Sequence, residues 1–147
     1  MAFGRPTKYN EKLADLICQR VATHSCGLNK LCEMYDDMPA RNTVNEWRYK
    51  YNDFSVRYAK AKLLQADLLA EECVDIADDS TNDVIVDEEG RERINSEFVN
   101  RARLRIDTRK WLAGKLLPKQ YGKAAEEVPS ENKDSVIDKL IEKLADK

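Results

Sequence analysis

Residues 53–78 read DFSVRYAKAKLLQADLLAEECVDIAD, and apolar side chains recur through this segment at helical spacing. One apolar row consists of Phe54, Tyr58, Ala61, Leu64 and Leu68. A second row lies beside it: Leu69, Cys73, Ile76. Two rows make a stripe that is wider than one neighbouring helix covers. We therefore expect one long helix that packs against more than one partner.

A second long helix is predicted downstream, after a break. Residues 79–95 interrupt the helical pattern, and the apolar run Val84–Val86 followed by Asp87–Gly90 indicates a small β-hairpin at 83–95. Helical spacing returns from Asn95 to about Leu117, with Trp111 as an expected core residue of the subunit, and Pro118 is expected to end the helix. Residues 53–121 thus favour a long helical hairpin that serves as an oligomerisation core.

Three short helices are predicted before this hairpin. Residues 1–9 form a basic arm, and residues 10–52 contain three short apolar patterns, with a turn before the third. The third helix is expected from about Ala40 to Tyr51, with Val44 and Trp47 facing inward. This order is typical of the helix-turn-helix, which places its last helix in the major groove of DNA.

The candidate DNA contacts lie on the outer face of the third helix and in the arm. Arginine can donate two hydrogen bonds to guanine, asparagine can pair with adenine, and lysine mostly meets phosphate. Any exposed helix carries such residues, so a solvated face is the alternative, and Asp36, Asp37 and Glu46 dilute the positive charge. The candidate set is Arg5, Lys8, Arg41, Asn42, Asn45, Arg48, Lys50.

Charge is segregated along the chain, although the net charge is only −2. Residues 63–100 carry 12 acidic and 2 basic side chains, whereas residues 101–123 carry 8 basic and 1 acidic. The first long helix has an acidic stripe at intervals of four residues: Asp67, Glu71, Asp75. The second long helix has a basic stripe at the same spacing: Arg101, Arg105, Arg109. The stripes either pair, within one chain or between copies, or form two solvated faces. The predicted oligomer contacts are these six residues together with Leu64 and Leu68.

Other classes of function lack the residues they need. The four cysteines form no CxxC pair, His24 is the only histidine, and no GxxxxGK[ST] loop is present. We therefore expect no enzyme, no catalytic residues, no metal and no cofactor, with the cysteines reduced and packed as small apolar side chains. No apolar run reaches the ~18 residues of a membrane span, so we expect a soluble cytoplasmic protein without a membrane partner.

Residues 122–147 are predicted to form a linker and a short amphipathic helix. Residues 122–133 are polar, and an apolar strip follows them: Val136, Ile137, Leu140, Ile141, Leu144. A helix of about three turns is marginal in water by itself. The strip is therefore expected either to dock on a partner or to pack back on its own assembly, and we favour docking through the last four of these residues.

Two parts of the sequence resemble a known family. The first part is shared by many regulators: Gly4-Arg5-Pro6, Leu28–Cys32, Met38-Pro39, Thr43-Val44, Trp47, Tyr58–Ala61. The second and more specific part is Arg101–Gly122, with RLRIDTRKW at 103–111 and PKQYG at 118–122. Together they resemble the small terminase subunits of tailed bacteriophages, in the Shigella-phage subgroup, over residues 4–123.

This resemblance implies a DNA-packaging protein that is not itself an enzyme. Small terminase subunits form rings, recognise the packaging site on viral double-stranded DNA, recruit the large subunit and modulate its ATPase and nuclease. The implied partners are DNA, further copies of the chain, and the large subunit, here through residues 137–144. The implied location is the host cytoplasm, not the mature virion. Some members build a small β-barrel from their C-termini, whereas this tail has a helical pattern.

Two other classes of function remain open. A dimeric helix-turn-helix transcription regulator would share residues 10–52, but it would need no counterpart of Arg101–Gly122 and would match a palindromic operator. A structural or adaptor protein would have no DNA role. The mass under native conditions separates a ring from a dimer, and DNA binding after substitution of Arg48 or Lys50 tests the third class.

Overall fold

The computed structural model describes residues 4–123 and is mainly helical, as predicted. Its elements are α1 (Glu11–Thr23), α2 (Leu28–Met34), α3 (Arg41–Lys50), α4 (Asn52–Asp78), β1 (Val84–Val86), β2 (Glu92–Ile94), α5 (Ser96–Leu116) and α6 (Pro118–Tyr121). The predicted fold class, three short helices before a long helical hairpin with a small β-hairpin at its connection, is confirmed. The predicted C-terminal helix lies outside the described residues.

The helices α1, α2 and α3 pack around one core that α4 completes. The Asn10 side chain accepts a hydrogen bond from the Leu13 N–H at 2.9 Å, which satisfies one of the free donors in the first turn of α1. The buried side chains of this core are Leu13, Ala14, Ile17, Val21, Leu31, Cys32, Met38, Val44, Trp47, Phe54, Tyr58, Ala61. The last three lie on α4, so the helix-turn-helix core extends past residue 52, where the sequence predicts a domain boundary.

Arg57 on α4 fastens the beginning of α1. Its guanidinium forms ion pairs with three carboxylates, those of Glu11, Asp15 and Asp53. Just before α1, the ring of Tyr9 stacks on the ring of Tyr51 with a centroid distance of 3.9 Å. The chain is therefore anchored to the core from Tyr9 onwards.

The turn between α2 and α3 is tied to the end of α1. Arg20 donates two hydrogen bonds to the Asp37 carboxylate, at 2.6 and 2.9 Å, and its guanidinium carbon lies 3.9 Å from the centroid of the Tyr35 ring. The Nε2 atom of His24 lies 2.7 Å from the hydroxyl oxygen of Tyr35. The hydrogen bonds from Arg20 hold the pKa of the Asp37 carboxyl below its ordinary value. These contacts fix the turn that leads into α3.

The helices α4 and α5 are antiparallel, and α5 is covered along one side only. Ala113 is the one residue of α5 that is fully buried. Trp111, which we predicted to lie in the core, is 63 % exposed, so that prediction is wrong. A single covering helix buries one side of α5, and Trp111 lies on another.

The predicted β-hairpin is present between the two long helices. Its strands pair antiparallel, with Val84 opposite Ile94. In the turn, Asp87 accepts backbone N–H hydrogen bonds, and Gly90 has a φ of 78°, in the left-handed region that glycine tolerates. The apolar side chains of the hairpin are exposed: Val84, Ile85, Val86, Ile94.

Pro118 begins a further short helix, α6, which the sequence did not predict. The fixed φ of proline and its missing N–H suit the first position of a helix. The corner after α5 is tight, because a Cβ at Gly122 would lie 2.5 Å from the Pro118 carbonyl oxygen, and one at Gly114 would lie 3.0 Å from that of Tyr121. The Tyr121 hydroxyl donates a hydrogen bond to Asp67 on α4 at 2.9 Å. This bond ties α6 back to the helical hairpin.

Candidate nucleic-acid interface

Helix α3 is held by two buried residues and directs its polar side chains away from the core. Val44 and Trp47 are buried, as predicted. The five predicted DNA contacts on this helix are exposed or, at Asn45, half-buried: Arg41, Asn42, Asn45, Arg48, Lys50. Their exposure leaves them available to a partner, and contact with DNA stays a prediction for each of them.

The side chain of Arg48 is positioned by α4. Its guanidinium carbon lies 4.1 Å from the centroid of the Tyr58 ring, which is a cation–π geometry, and its Nη1 donates a hydrogen bond to Asn45 at 3.3 Å. The Tyr58 ring is itself part of the buried core. Arg48 is therefore preorganised toward the groove between α3 and α4.

That groove contains three cations, at Arg41, Arg48 and Lys62. In the described part of the chain, none of the three forms an ion pair with a carboxylate. Burial, and then the positive charge of Arg48, lower the pKa of the Lys62 ammonium, whose Nζ donates a hydrogen bond to Gln65. An anion in the groove would relieve this repulsion, so the groove suits a phosphate.

Sequence reasoning missed Lys62, because it assigned all of α4 to the oligomerisation core. The position carries a signal nevertheless, since Lys62 follows Tyr58 by four residues and lies on the same face of α4. It also missed Tyr49, which is 96 % exposed and lines a second, shallower concavity together with Asn42, Asn45, Glu46 and Lys50. Tyr49 follows the buried Trp47 by two residues, which places it on the opposite face of α3.

The basic arm contributes Arg5 and Lys8, both exposed. Burial raises the pKa of the Cys32 thiol, and the positive charges of Arg5 and Arg41 oppose that rise. Contact between Arg5 and DNA stays a prediction. Lys8 directly precedes Tyr9, where the anchored part of the chain begins.

The carboxylate of Glu72 joins three elements of the chain. It accepts a hydrogen bond from the Ser25 hydroxyl in the α1–α2 connection at 2.6 Å, and one from Arg109 Nε on α5 at 2.6 Å. Burial acts to raise its pKa, but the bonds from Ser25 and Arg109 prevail and hold the pKa below the ordinary value. Glu72 thus joins the α1–α2 connection to α5, and the sequence stripes did not include it.

Within one chain the predicted charge stripes do not pair. Arg109 binds Glu72 rather than Glu71, and Asp67 accepts a hydrogen bond from Tyr121. Among residues 4–123, no ion pair joins Asp67, Glu71 or Asp75 to Arg101, Arg105 or Arg109. The remaining stripe residues are therefore available to other copies or to solvent.

Apolar side chains are also exposed on both long helices. Leu64 is 59 % exposed and Leu68 is half-buried, because the buried row of α4 continues through Gln65 and Leu69 instead. Further large apolar side chains are exposed on α4 and α5: Val56, Leu63, Val74, Val99, Leu104. Exposed apolar surface on this scale is typical of a protein interface.

Comparison with protein families and comparison with solved structures both give matches to this chain. A family model described as "Bacteriophage Sf6, terminase small subunit-like" matches residues 9–127. The chain belongs to this family of terminase small subunits. The chain is also similar to two crystal structures of single-residue variants of the terminase small subunit gp1 of bacterial virus Sf6, with 37 % sequence identity in both cases. Each match covers 80 % of this chain, and the matches cover 84 % and 79 % of the respective gp1 chains. The TM-scores are 0.62 and 0.64. No curated protein matches the chain.

The terminase family match includes α1 to α6, and thus both the groove and the helical hairpin. Within residues 4–123 no group of side chains could hold a metal ion. None of the helices described for this terminase small subunit is long and apolar enough to cross a membrane.

Proposed function

We propose that this chain is a DNA-packaging subunit that binds viral DNA through α3 and the basic arm, forms a ring, and recruits and regulates the large terminase subunit. The observation that supports it most directly is the groove in which Arg41, Arg48 and Lys62 meet without a carboxylate partner among the described residues. The family match supplies the terminase context. We propose no catalytic role for the chain, and we place its action in the host cytoplasm during assembly.

Each copy is expected to bind DNA weakly, because residues 1–62 carry a net charge of only +4. Phosphate contacts by Lys and Arg supply most of the affinity and make it dependent on salt. Several copies that engage one DNA molecule together raise the effective affinity by a factor of ~10²–10⁴ without any new contact. Assembly is therefore part of the DNA-binding function in this proposal.

The DNA-binding proposal is tested with Arg48→Ala combined with Lys50→Ala in the full chain. We expect weaker binding to duplex DNA and a salt slope reduced by about 0.9 for each lost phosphate contact. The matched control is Lys12→Ala with Lys60→Ala, two exposed lysines that line neither concavity at α3. Unchanged affinity at low salt would show that this surface does not bind DNA.

The ring proposal rests on the exposed apolar side chains and on the two stripes, which do not pair with each other within the described part of one chain. The acidic stripe of α4 in one copy can face the basic stripe of α5 in the next, and Leu64 and Leu68 lie beside the acidic stripe. Such a contact joins two different surfaces, and contacts of this kind close into rings when the rotation between neighbours permits. Native mass spectrometry is the test, since a dimer would instead favour a transcription regulator.

Large-subunit recruitment is assigned to the C-terminal strip of Ile137, Leu140, Ile141 and Leu144, which lies outside the described residues. An amphipathic helix can dock its apolar face in a groove of a partner. Deletion of residues 130–147 should leave ring mass and DNA affinity unchanged and abolish stimulation of the large subunit's ATPase. Loss of the ring would place the strip in the assembly and the docking site elsewhere.

A further inference from the structure

The corner between α5 and α6 has a surface that the proposed function does not use. A concavity there is lined by Lys110, Trp111, Lys115, Pro118, Tyr121 and Lys123. Trp111 and Tyr121 are both exposed. The concavity thus combines two accessible aromatic rings with three lysines.

This corner is tightly packed. The close approaches at Gly114 and Gly122 leave no space for a Cβ, and the Tyr121 hydroxyl is bonded to Asp67 on α4. The backbone that carries Trp111 and Lys115 is therefore fixed relative to α4. A preorganised surface loses less conformational entropy on binding than a loop that must first be ordered.

The charges of the corner lack the carboxylate partners that other cations of this chain have. Arg20, Arg57 and Arg109 all form ion pairs, whereas Lys110, Lys115 and Lys123 form none within residues 4–123. No acidic residue of the described range 4–123 lines the concavity. Its chemistry therefore complements a polyanion that offers flat apolar faces.

We propose that the α5–α6 corner is a second DNA contact surface, in which the lysines bind backbone phosphates and Trp111 stacks on a base of an unpaired or locally opened segment. Lysines bind phosphate as point charges and aromatic side chains stack on bases in surfaces that hold single strands. The corner adjoins the groove beneath α3, because Leu116 lines that groove and Lys115 lines the corner. DNA bound at α3 can therefore continue across it. The inference rests on the proposed function for the nature of the ligand.

The test measures binding of the full chain to a labelled duplex and to a labelled single strand of equal length. Lys110→Ala with Lys115→Ala should weaken binding to both by roughly tenfold, and should reduce the salt slope by about 1.8 for the duplex and about 1.4 for the single strand. Trp111→Ala should weaken single-strand binding at least about fivefold and duplex binding less. The control pair is again Lys12→Ala with Lys60→Ala, which should leave both affinities unchanged.

A second measurement keeps the proposal testable if Trp111→Ala fails to fold. Trp47 is buried and Trp111 is exposed, so acrylamide quenching of the intact chain reports mainly on Trp111. A bound single strand should protect this fluorescence, and Trp111→Phe should lose the protected signal while it retains the ring mass.

Several results would overturn the proposal. Unchanged DNA affinity in the corner variants, with weaker binding by the Arg48 and Lys50 variant, would refute the corner and leave the proposed function intact. Unchanged affinity in both sets would refute both. Loss of ring mass in the corner variants would make the corner an interface between copies. Loss of large-subunit stimulation with normal DNA affinity would make it a docking site for protein.

Discussion

The two halves of this chain bury their apolar residues to very different degrees. The helix-turn-helix half closes a core of twelve buried residues, from Leu13 to Ala61, over four helices. In the other half, α5 spans 21 residues and buries only Ala113 completely. The same helix, α4, runs through both halves, so the difference lies in what covers it.

The difference in burial between the halves indicates which half can be stable alone. The first half buries its own apolar residues, and ion pairs of Arg20 and Arg57 hold its segments together. The second half leaves apolar side chains and charge stripes uncovered, as expected of a surface that is completed by other molecules. Stability of the fold and formation of the assembly should therefore respond to different substitutions.

The largest difference in unfolding free energy between the halves should come from one alanine substitution made in each half. Phe54→Ala removes a fully buried ring and should cost about 3–5 kcal/mol of unfolding free energy. Leu64→Ala removes an exposed side chain and should cost the isolated fold less than about 0.5 kcal/mol while weakening assembly. Denaturant unfolding at several protein concentrations separates the two effects. Equal losses of stability would contradict the division.

Substitution of Glu72 should disturb the junction of the halves. Glu72→Gln weakens the bonds from Ser25 and Arg109, and should cost about 1–3 kcal/mol. The control is Glu71→Gln, whose side chain is exposed. Because the folded pKa of Glu72 is lowered, its stabilisation is complete above the unfolded value of about 4.3 and is lost as the pH falls through the folded pKa. Unfolding of the Gln variant should lack this acid loss.

The charge stripes should affect assembly rather than folding. Glu71→Arg with Asp75→Arg should weaken the ring, and the further changes Arg101→Glu and Arg105→Glu should restore much of it. Arg109 is left unchanged because it binds Glu72 within the chain. Each exposed pair contributes only about 0.2–1 kcal/mol, so the effect should fade at high salt. Light scattering over a salt series is the measurement, and additive effects with no rescue would indicate two solvated faces.

The smallest effect should come from a surface ion pair inside the compact half. Asp37→Asn removes the partner of Arg20 and should cost no more than about 1 kcal/mol, since the carboxylate is largely exposed. The lowered pKa of Asp37 means that its contribution is present above the unfolded value of about 3.9 and is lost as the pH falls through the folded pKa. Asp36→Asn, at the exposed neighbouring position, is the control. A cost above 2 kcal/mol would show that the turn governs the whole core.

The sequence predicted the elements of this fold well, because periodicity and turn residues act locally. The pair Val44 and Trp47 and the hairpin at 83–95 follow from residue types within a few positions. The helix α6 was not predicted, because Pro118 was interpreted only as the end of α5. Proline ends one helix and begins another with equal ease, and local sequence does not distinguish the two.

The candidate site was harder to predict, since it depends on contacts between distant segments. Periodicity assigns Trp111 and Leu64 to a helix face, but the number of neighbouring helices decides whether that face is covered. Glu71 and Glu72 are adjacent acidic residues, and the helical pattern does not show which of them forms bonds within the chain. Only the positions of Ser25 and Arg109 in the fold identify Glu72. Lys62 is a candidate DNA contact only because α3 packs against α4 beside it, and the sequence pattern does not show this packing.

Because α4 is one continuous helix, it fixes the distance between the two surfaces that it carries. A helix of 27 residues is a rod of about 40 Å, because each residue adds about 1.5 Å along the axis. One part of this rod carries the core that holds α3, and the rest carries the surface proposed to meet the next copy. In a closed ring, the distance and angle between successive α3 helices would then be set by the subunit contacts rather than by the DNA. Such a ring would select packaging sites by the spacing of short repeated elements as much as by their base sequence.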